Sequence, residues 1–277
     1  MHTLMLHGHA TSAFVFKAQT GHFRSKLDKS FTFDFVDAPI PSELPASLKK
    51  VFKTAYTWMD EKRDVESIRD TADWLLRYMK QNGPYDCVCC FSQSAAVITT
   101  LVMDNNLRPP EERISLPFKS IVFMNANIEY SLLEAHGLPV SDEARRHKSA
   151  AEDIMQAKAN DLQNLANVMT LKSRGTADMW KDTSTLIHDP SSLPPENDCY
   201  GLNFGAFPPE ALITNFPTLH IYGATDPIWS SSVQMAYLCQ ADENCMYDHQ
   251  GGHDVPRSPK VAADIASLFK KLSTKIK

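Results

Sequence analysis

Residues 85–103 read Tyr-Asp-Cys-Val-Cys-Cys-Phe-Ser-Gln-Ser-Ala-Ala-Val-Ile-Thr-Thr-Leu-Val-Met. Tyr85 to Phe91 forms an apolar run, the pattern of a parallel strand covered on both faces. Gln93 to Met103 reads as a helix. Between them stands Ser92, on a junction with room for little more than a sharp turn. A Ser after a strand is most often a helix N-cap. It can also be a nucleophile held on a strained strand-to-helix turn, with small residues two positions before and after it. Cys90 and Ser94 occupy those two positions. Both are small, although glycine is the usual choice.

The neighbouring segments extend the same alternation. Leu4-Met5-Leu6 is a short buried strand that ends at His7-Gly8. Ala18 to Leu27 predicts a helix, with Phe23 and Leu27 four residues apart. Phe31 to Val36 alternates apolar and polar residues and predicts a strand. The Pro-rich residues 39–50 predict loop. From Asp64 to Gln81 the residues Val65, Ile68, Ala72, Leu75, Leu76 and Met79 make one helical stripe. Asn82-Gly83-Pro84 ends it, with Gly83 expected in a left-handed conformation. Phe118 to Met124, Leu219 to Tyr222 and Cys245 to Tyr247 predict further strands, and Ser258 to Leu272 a closing helix. Strands alternating with helices predict an α/β fold, a mostly parallel sheet with helices on both faces.

Residues 126–215 interrupt the alternation. Ser141 to Leu171 predicts a polar helix opened by a Ser141 cap, and residues 182–200 a loop rich in Pro, Ser and Asp. The segment has too little strand pattern to join the sheet. It predicts a helical lid insertion within a single domain spanning 1–277, because long insertions at strand ends of such sheets often carry function.

The totals limit what the chain can do. It has 277 residues, 43% of them apolar and 22% charged, with a formal net charge of −5. Its pI is near 6.0. An acidic chain gains no electrostatic attraction to nucleic acid or anionic membranes, so neither is expected as a partner. No apolar run reaches the roughly 18–20 residues of a membrane span, and no targeting segment is visible. Cys87, Cys89 and Cys90 crowd before Ser92, but no second pair or nearby His completes a zinc set. They read as buried thiols, which fits a reducing, cytoplasmic setting.

Nucleophilic acyl transfer needs a His to activate the Ser and a carboxylate to orient that His. In the expected chain order, Asp226 follows the strand Leu219–Tyr222, and His253 follows Gly251-Gly252 after the next strand. The two glycines let the chain swing a His back over the sheet edge. Asp254 and Asp248 are weaker candidates for the acid. An oxyanion hole needs two backbone N–H donors. Gln93 is the expected first donor and His9 the second, with Ala10 in reserve. His7 and His9 lack a third partner at metal-ligand spacing, so no metal is expected, and the chemistry calls for no cofactor.

Taken together, Leu6-His7-Gly8-His9-Ala10-Thr11-Ser12, Phe35-Val36-Asp37-Ala38-Pro39, Gly83-Pro84-Tyr85-Asp86, Phe91-Ser92-Gln93-Ser94, Tyr222-Gly223-Ala224-Thr225-Asp226 and Gly252-His253 resemble a known group. It is the fungal family of serine hydrolases, the ovarian-cancer-associated hydrolase-like group of the α/β-hydrolase superfamily. The resemblance implies an α/β-hydrolase fold and an esterase or thioesterase acting on a small molecule. A polyketide, carried in some members on an acyl-carrier domain, is one such substrate. The family usually has Gly-Phe-Ser-Gln-Gly at the nucleophile, where this chain has Cys90 and Ser94. A ligand-binding member without hydrolysis, an acyltransferase and a C–C hydrolase remain open, as does a homodimer. Trp58, Met179, Trp180, Phe207 and Trp229 are expected as apolar walls of the acyl pocket.

Overall fold

A computed structural model describes residues 1–43, 54–60, 62, 64–168, 180, 182–189 and 191–276, with backbone alone at 161–168. Six parallel strands form the main sheet: β1 (His2–Leu6), β2 (Thr32–Val36), β5 (Cys87–Phe91), β6 (Ile121–Met124), β7 (Thr218–Tyr222) and β8 (Met246–Asp248). Their spatial order is β2-β1-β5-β6-β7-β8. The chain thus moves outward from β1 to one edge, returns to β5, and proceeds to the other edge. The reversal lies between β1 and β5, and ligands of open α/β sheets bind where strand order reverses. Leu6 pairs with Cys90 at that point, which brings His7-Gly8 beside Ser92. This is the α/β-hydrolase arrangement.

Period-two alternation divides each strand between two cores. Leu4, Leu6, Val88, Cys90, Ile121 and Phe123 face α3 (Val65–Asn82), α4 (Ser94–Asn106) and α7 (Trp229–Leu238). Met5, Cys87, Cys89, Phe91, Val122 and Met124 face α1 (Ala13–Gln19), α2 (Gly21–Arg24) and α8 (Pro259–Lys275). The α3 stripe buries Ile68, Ala72, Leu75 and Met79. Each large aliphatic side chain there contributes about 1.5–3 kcal/mol. Asp64 caps the helix by accepting a hydrogen bond from Ser67 N.

Several elements differ from the sequence reading. The helix expected over 18–27 begins earlier, because Ser12 caps α1 and accepts from Val15 N. It then breaks into α1 and α2 at Thr20, whose hydroxyl donates to Phe16 O. The loop expected over 39–50 contains β3 (Ile40–Ser42), antiparallel to β4 (Ala55–Thr57), while 44–53 lie outside the described residues. Strands of three residues, one of them Pro41, leave too short a pattern to read. Gly83 is extended (φ −89°), not left-handed, and precedes a cis Pro84. Space is what demands glycine there, since a Cβ would lie 2.6 Å from Met79 O. The polar helix α6 (Asp142–Val168) is capped by Ser141, which accepts from Ala144 N; the expected end at Leu171 lies outside the described residues.

Described residues of the 126–215 segment pack against the rest of the chain at several points. Trp180 lies on Gly252, where a Cβ would come within 2.0 Å of the indole. His188 Nε2 lies 3.0 Å from Ala224 O. The Tyr237 hydroxyl of α7 donates to Pro194 O at 2.6 Å. Two of these contacts fall on the loops that carry Asp226 and His253.

One core residue sets a pH dependence. His220 is buried in β7, its ring stacked on Phe123, and burial pushes its pKa from 6.5 down to about 3. His249 is shifted the same way, to about 4. Below pH 6.5 the unfolded chain takes up protons that the native state refuses. Stability therefore falls with pH through this window and levels off once the native histidines also protonate. His220→Leu is expected to flatten the decline of Tm between about pH 6.5 and 4. Thermal melts across that range test it, and an unchanged slope contradicts it.

Candidate active site

Ser92, Asp226 and His253 follow β5, β7 and β8, and they meet at the carboxyl edge of the sheet. Ser92 Oγ lies 2.9 Å from His253 Nε2. His253 Nδ1 lies 2.7 Å from Asp226 Oδ2. A carboxylate accepts, so Nδ1 carries the hydrogen and Nε2 is left to accept from the Ser92 hydroxyl. Asp226 is fully buried. Its Oδ1 accepts from Ile228 N at 2.9 Å, and Oδ2 accepts a second bond, from Asn125 Nδ2 at 2.8 Å. Those donors hold the buried carboxylate in place as an acceptor.

Ser92 has φ +56°, the left-handed region that costs a non-glycine residue energy. Ala10 (φ +51°), Asn125 (φ +44°) and Gln250 (φ +63°) share this feature on the loops after β1, β6 and β8. Such strain tends to cluster at functional sites. The elbow accommodates its unusual flanks. Cys90 is buried within β5. The Ser94 hydroxyl accepts from Phe91 N at 2.9 Å and lies 3.1 Å from Leu6 O. It therefore fastens the end of β5 to β1, which a glycine hydrogen could not do. Gly8 allows the close approach of the two strand ends, since a Cβ there would lie 2.8 Å from Phe91 Cδ1.

The expected oxyanion loops also converge. Gln93 Nε2 lies 3.4 Å from His9 Nδ1, and Ala10 follows in the left-handed conformation. His7 points elsewhere. Its Nε2 accepts from Ala38 N at 3.0 Å in the loop after β2, and its Nδ1 lies 2.7 Å from Gly8 O, so both ring nitrogens are engaged away from the elbow. Among the described residues, no group of three or more metal-type ligands assembles.

The other acid candidates have different partners. Asp248 Oδ1 accepts from Ala224 N and Gln250 N, joining the Asp226 loop to the His253 loop. Asp254 packs in the His253 loop, its pKa raised by burial. The expected pocket residues divide. Trp180 covers Gly252, next to His253. Trp229 is buried among His188, Tyr200 and Tyr222. Phe207 packs on Phe204 in the apolar core, Trp58 donates its indole N–H to His7 O, and Met179 lies outside the described residues.

Asn125 is the main residue absent from the sequence reading. Its Nδ2 donates to Asp226 Oδ2 and to Gly252 O, so one amide joins the acid and base loops. The orientation of that amide follows from its neighbours. His249 Nδ1 accepts from Gly251 N, so His249 Nε2 carries the hydrogen and faces Asn125 Oδ1 at 3.3 Å. The available signal was a polar residue directly after the apolar strand that ends at Met124.

A family model described as serine hydrolase (FSH1) matches residues 1–265. Esterase alnB of Emericella nidulans is 24% identical, over 92% of this chain and 90% of its own. Esterase FPY3 of Fusarium mangiferae is 24% identical, over 99% and 98%. Among solved structures, SOBER1 of Arabidopsis thaliana aligns over 99% of each chain with a TM-score of 0.48 and 14% identity.

Proposed function

The chain belongs to the serine hydrolase (FSH1) family, and from that premise we propose that it hydrolyses a small-molecule carboxylic ester or thioester through an acyl-Ser92 intermediate. The observation that carries this reading is the continuous line from Ser92 Oγ to His253 Nε2 at 2.9 Å and from His253 Nδ1 to Asp226 Oδ2 at 2.7 Å. As Ser92 Oγ attacks the acyl carbonyl, its proton passes to His253 Nε2. The resulting imidazolium is stabilised by the buried Asp226 carboxylate. Negative charge grows on the former carbonyl oxygen, where the backbone N–H groups of Gln93 and His9, or Ala10, serve as donors. Collapse breaks the bond to the leaving group, which departs with the His253 proton. Water then attacks the acyl-serine, again giving its proton to His253, and the carboxylic acid leaves as Ser92 recovers its hydrogen.

The word esterase in the names of two fungal relatives supports an oxygen ester as the first substrate to try. A thioester, and a polyketide-type acyl chain, form the finer part of the proposal and rest on the family resemblance. Trp180 beside the His253 loop is the candidate wall for that acyl group.

The test is reaction of the wild-type protein with a fluorophosphonate, mapping of the adduct by peptide mass, and turnover of p-nitrophenyl esters beside matched N-acetylcysteamine thioesters. An adduct on Ser92 with turnover of either series is the expected result. No adduct and no turnover across both series would falsify the proposal.

A further inference from the structure

The β3–β4 pair stands outside the six-stranded sheet, yet its last residue reaches the site. The segment Thr57-Trp58-Met59 lies between the loop after β1 and the elbow after β5. Towards the elbow, Trp58 N and Thr57 Oγ1 both donate to Gln93 Oε1, at 2.9 and 2.8 Å. Towards the β1 loop, Thr57 Oγ1 lies 3.0 Å from His9 Nδ1, and Trp58 Nε1 donates to His7 O at 2.7 Å. Tyr56 N also donates to Thr11 O at 2.7 Å. Thr57, Trp58 and Gln93 are all buried. Gln93 is the N-cap residue of α4, yet its side chain makes no capping bond to that helix and turns to β4 and the residue after it instead.

Hydrogen accounting gives this network a direction. A threonine hydroxyl has one hydrogen to donate and two lone pairs to accept with. With that hydrogen on Gln93 Oε1, Thr57 Oγ1 accepts from His9 Nδ1–H, and the 3.4 Å approach of Gln93 Nε2 to the same ring nitrogen is then a contact and not a hydrogen bond. A single chain then runs from His9 through Thr57 to Gln93, and Trp58 N joins it at the same amide oxygen. Met59 O, 3.1 Å from Thr57 Oγ1, is the competing acceptor for the one hydrogen. The ladder between β1 and β5 ends at Leu6 and Cys90, before either oxyanion donor is reached.

We infer that the Thr57–Trp58 segment is a spacer that sets the distance between the loops carrying the two oxyanion donors, with Thr57 as its positioning residue. The inference rests on the proposed acyl-serine chemistry. Its physical basis is that donors act only within hydrogen-bond reach of the place where the oxyanion forms, and small displacements at such sites lower rates steeply. Thr57 touches neither the substrate nor the reacting atoms. It acts through His9 and Gln93.

Thr57→Val keeps the shape of the side chain and removes the hydroxyl. The expected result is a kcat lower by about 10–100-fold, less than the loss of a whole oxyanion donor, with KM within about threefold. A trifluoromethyl ketone reports on the hole directly. Ser92 Oγ adds to its carbonyl, the proton goes to His253, and the new oxyanion occupies the donors. Its Ki is expected to rise by the same factor as kcat falls, and Thr57→Ser is expected to restore both to within about threefold, by retaining the hydroxyl. Wild-type kcat and Ki in Thr57→Val would overturn the inference. So would a loss in KM alone, or a Thr57→Ser variant as impaired as Thr57→Val. Should Thr57→Val fail to fold, Gln93→Met removes the acceptor shared by Thr57 Oγ1 and Trp58 N and leaves the backbone N–H of residue 93 in place. A parallel loss in kcat and ketone affinity is then expected, and wild-type values overturn the inference. The wild type separates the two levels. If it forms no fluorophosphonate adduct, the acyl-serine reading itself is wrong; if it labels and Thr57→Val equals it in both readouts, only the spacer is wrong.

Discussion

Ser92→Ala is expected to lower kcat by roughly 10⁵–10⁶ and to abolish the fluorophosphonate adduct. The substitution removes one oxygen from a position otherwise held by the backbone. Ser92 N donates to Met124 O, and Ser92 O accepts from Ala95 N and Asn127 N. None of these bonds involves the side chain, and the left-handed φ of +56° costs Ala about what it costs Ser. The fold should therefore survive with little change in Tm. Loss of the hydroxyl deprives His253 Nε2 of its partner at 2.9 Å and the substrate of its nucleophile. A residue of rate over the uncatalysed reaction, about 10³–10⁴-fold, should remain from the oxyanion donors and substrate binding. Intact-mass analysis beside p-nitrophenyl ester kinetics checks both parts. Equal labelling of wild type and variant would place the reactive group elsewhere and remove Ser92 from the mechanism.

The sheet was legible because its inner strands are buried on both faces. Cys87–Phe91 has no exposed residue to interrupt the apolar pattern, so even three cysteines read as strand. The three residues proposed as the triad could be picked out because chain order reproduces strand order: Ser92 follows β5 directly, and Asp226 and His253 lie in the loops after β7 and β8. What escaped were interactions between segments distant in sequence. Asn125 is one polar residue after one strand, and its role depends on Asp226, His249 and Gly252 arriving from elsewhere. Thr57 lies at the end of a three-residue strand with no periodicity to announce it. Ser94 read only as a small stand-in for glycine, whereas its hydroxyl fastens two strand ends. Gly8 read as a turn and Gly252 as part of a flexible loop, and Gly223 carried no reading of its own. Their neighbours show close approach instead: a Cβ at 223 would lie 2.0 Å from Gly251 O, so the acid and base loops touch there. Periodicity reports which face a residue turns inward. It carries nothing about which distant side chain waits on that face.

That distinction matters most at Asp226, where the second large effect is expected. Asp226→Asn preserves size and shape but should lower kcat by about 10⁴ near neutral pH. The reason lies in the donors around the buried carboxylate. Ile228 N donates to Oδ1, while Asn125 Nδ2 and His253 Nδ1 converge on Oδ2. An amide has one acceptor end and one donor end. If its oxygen stays with Ile228 N, its NH₂ faces the Asn125 NH₂ and the His253 ring. His253 can then meet it only as an acceptor, which moves the ring hydrogen to Nε2 and points it at Ser92 Oγ. A protonated Nε2 cannot take the serine proton. If the amide turns over, its NH₂ confronts Ile228 N–H, and a buried donor loses its acceptor at a cost of about 1–3 kcal/mol. The variant must therefore accept the wrong tautomer or lose stability. The two outcomes are separable, since the wrong tautomer removes the proton acceptor of Ser92 and lowers kcat, whereas the turned amide keeps its oxygen on His253 Nδ1–H and retains kcat while Tm falls. Stopped-flow acylation with parallel melts resolves them. A variant with wild-type kcat and Tm at pH 7 would show that His253 is oriented by something other than Asp226.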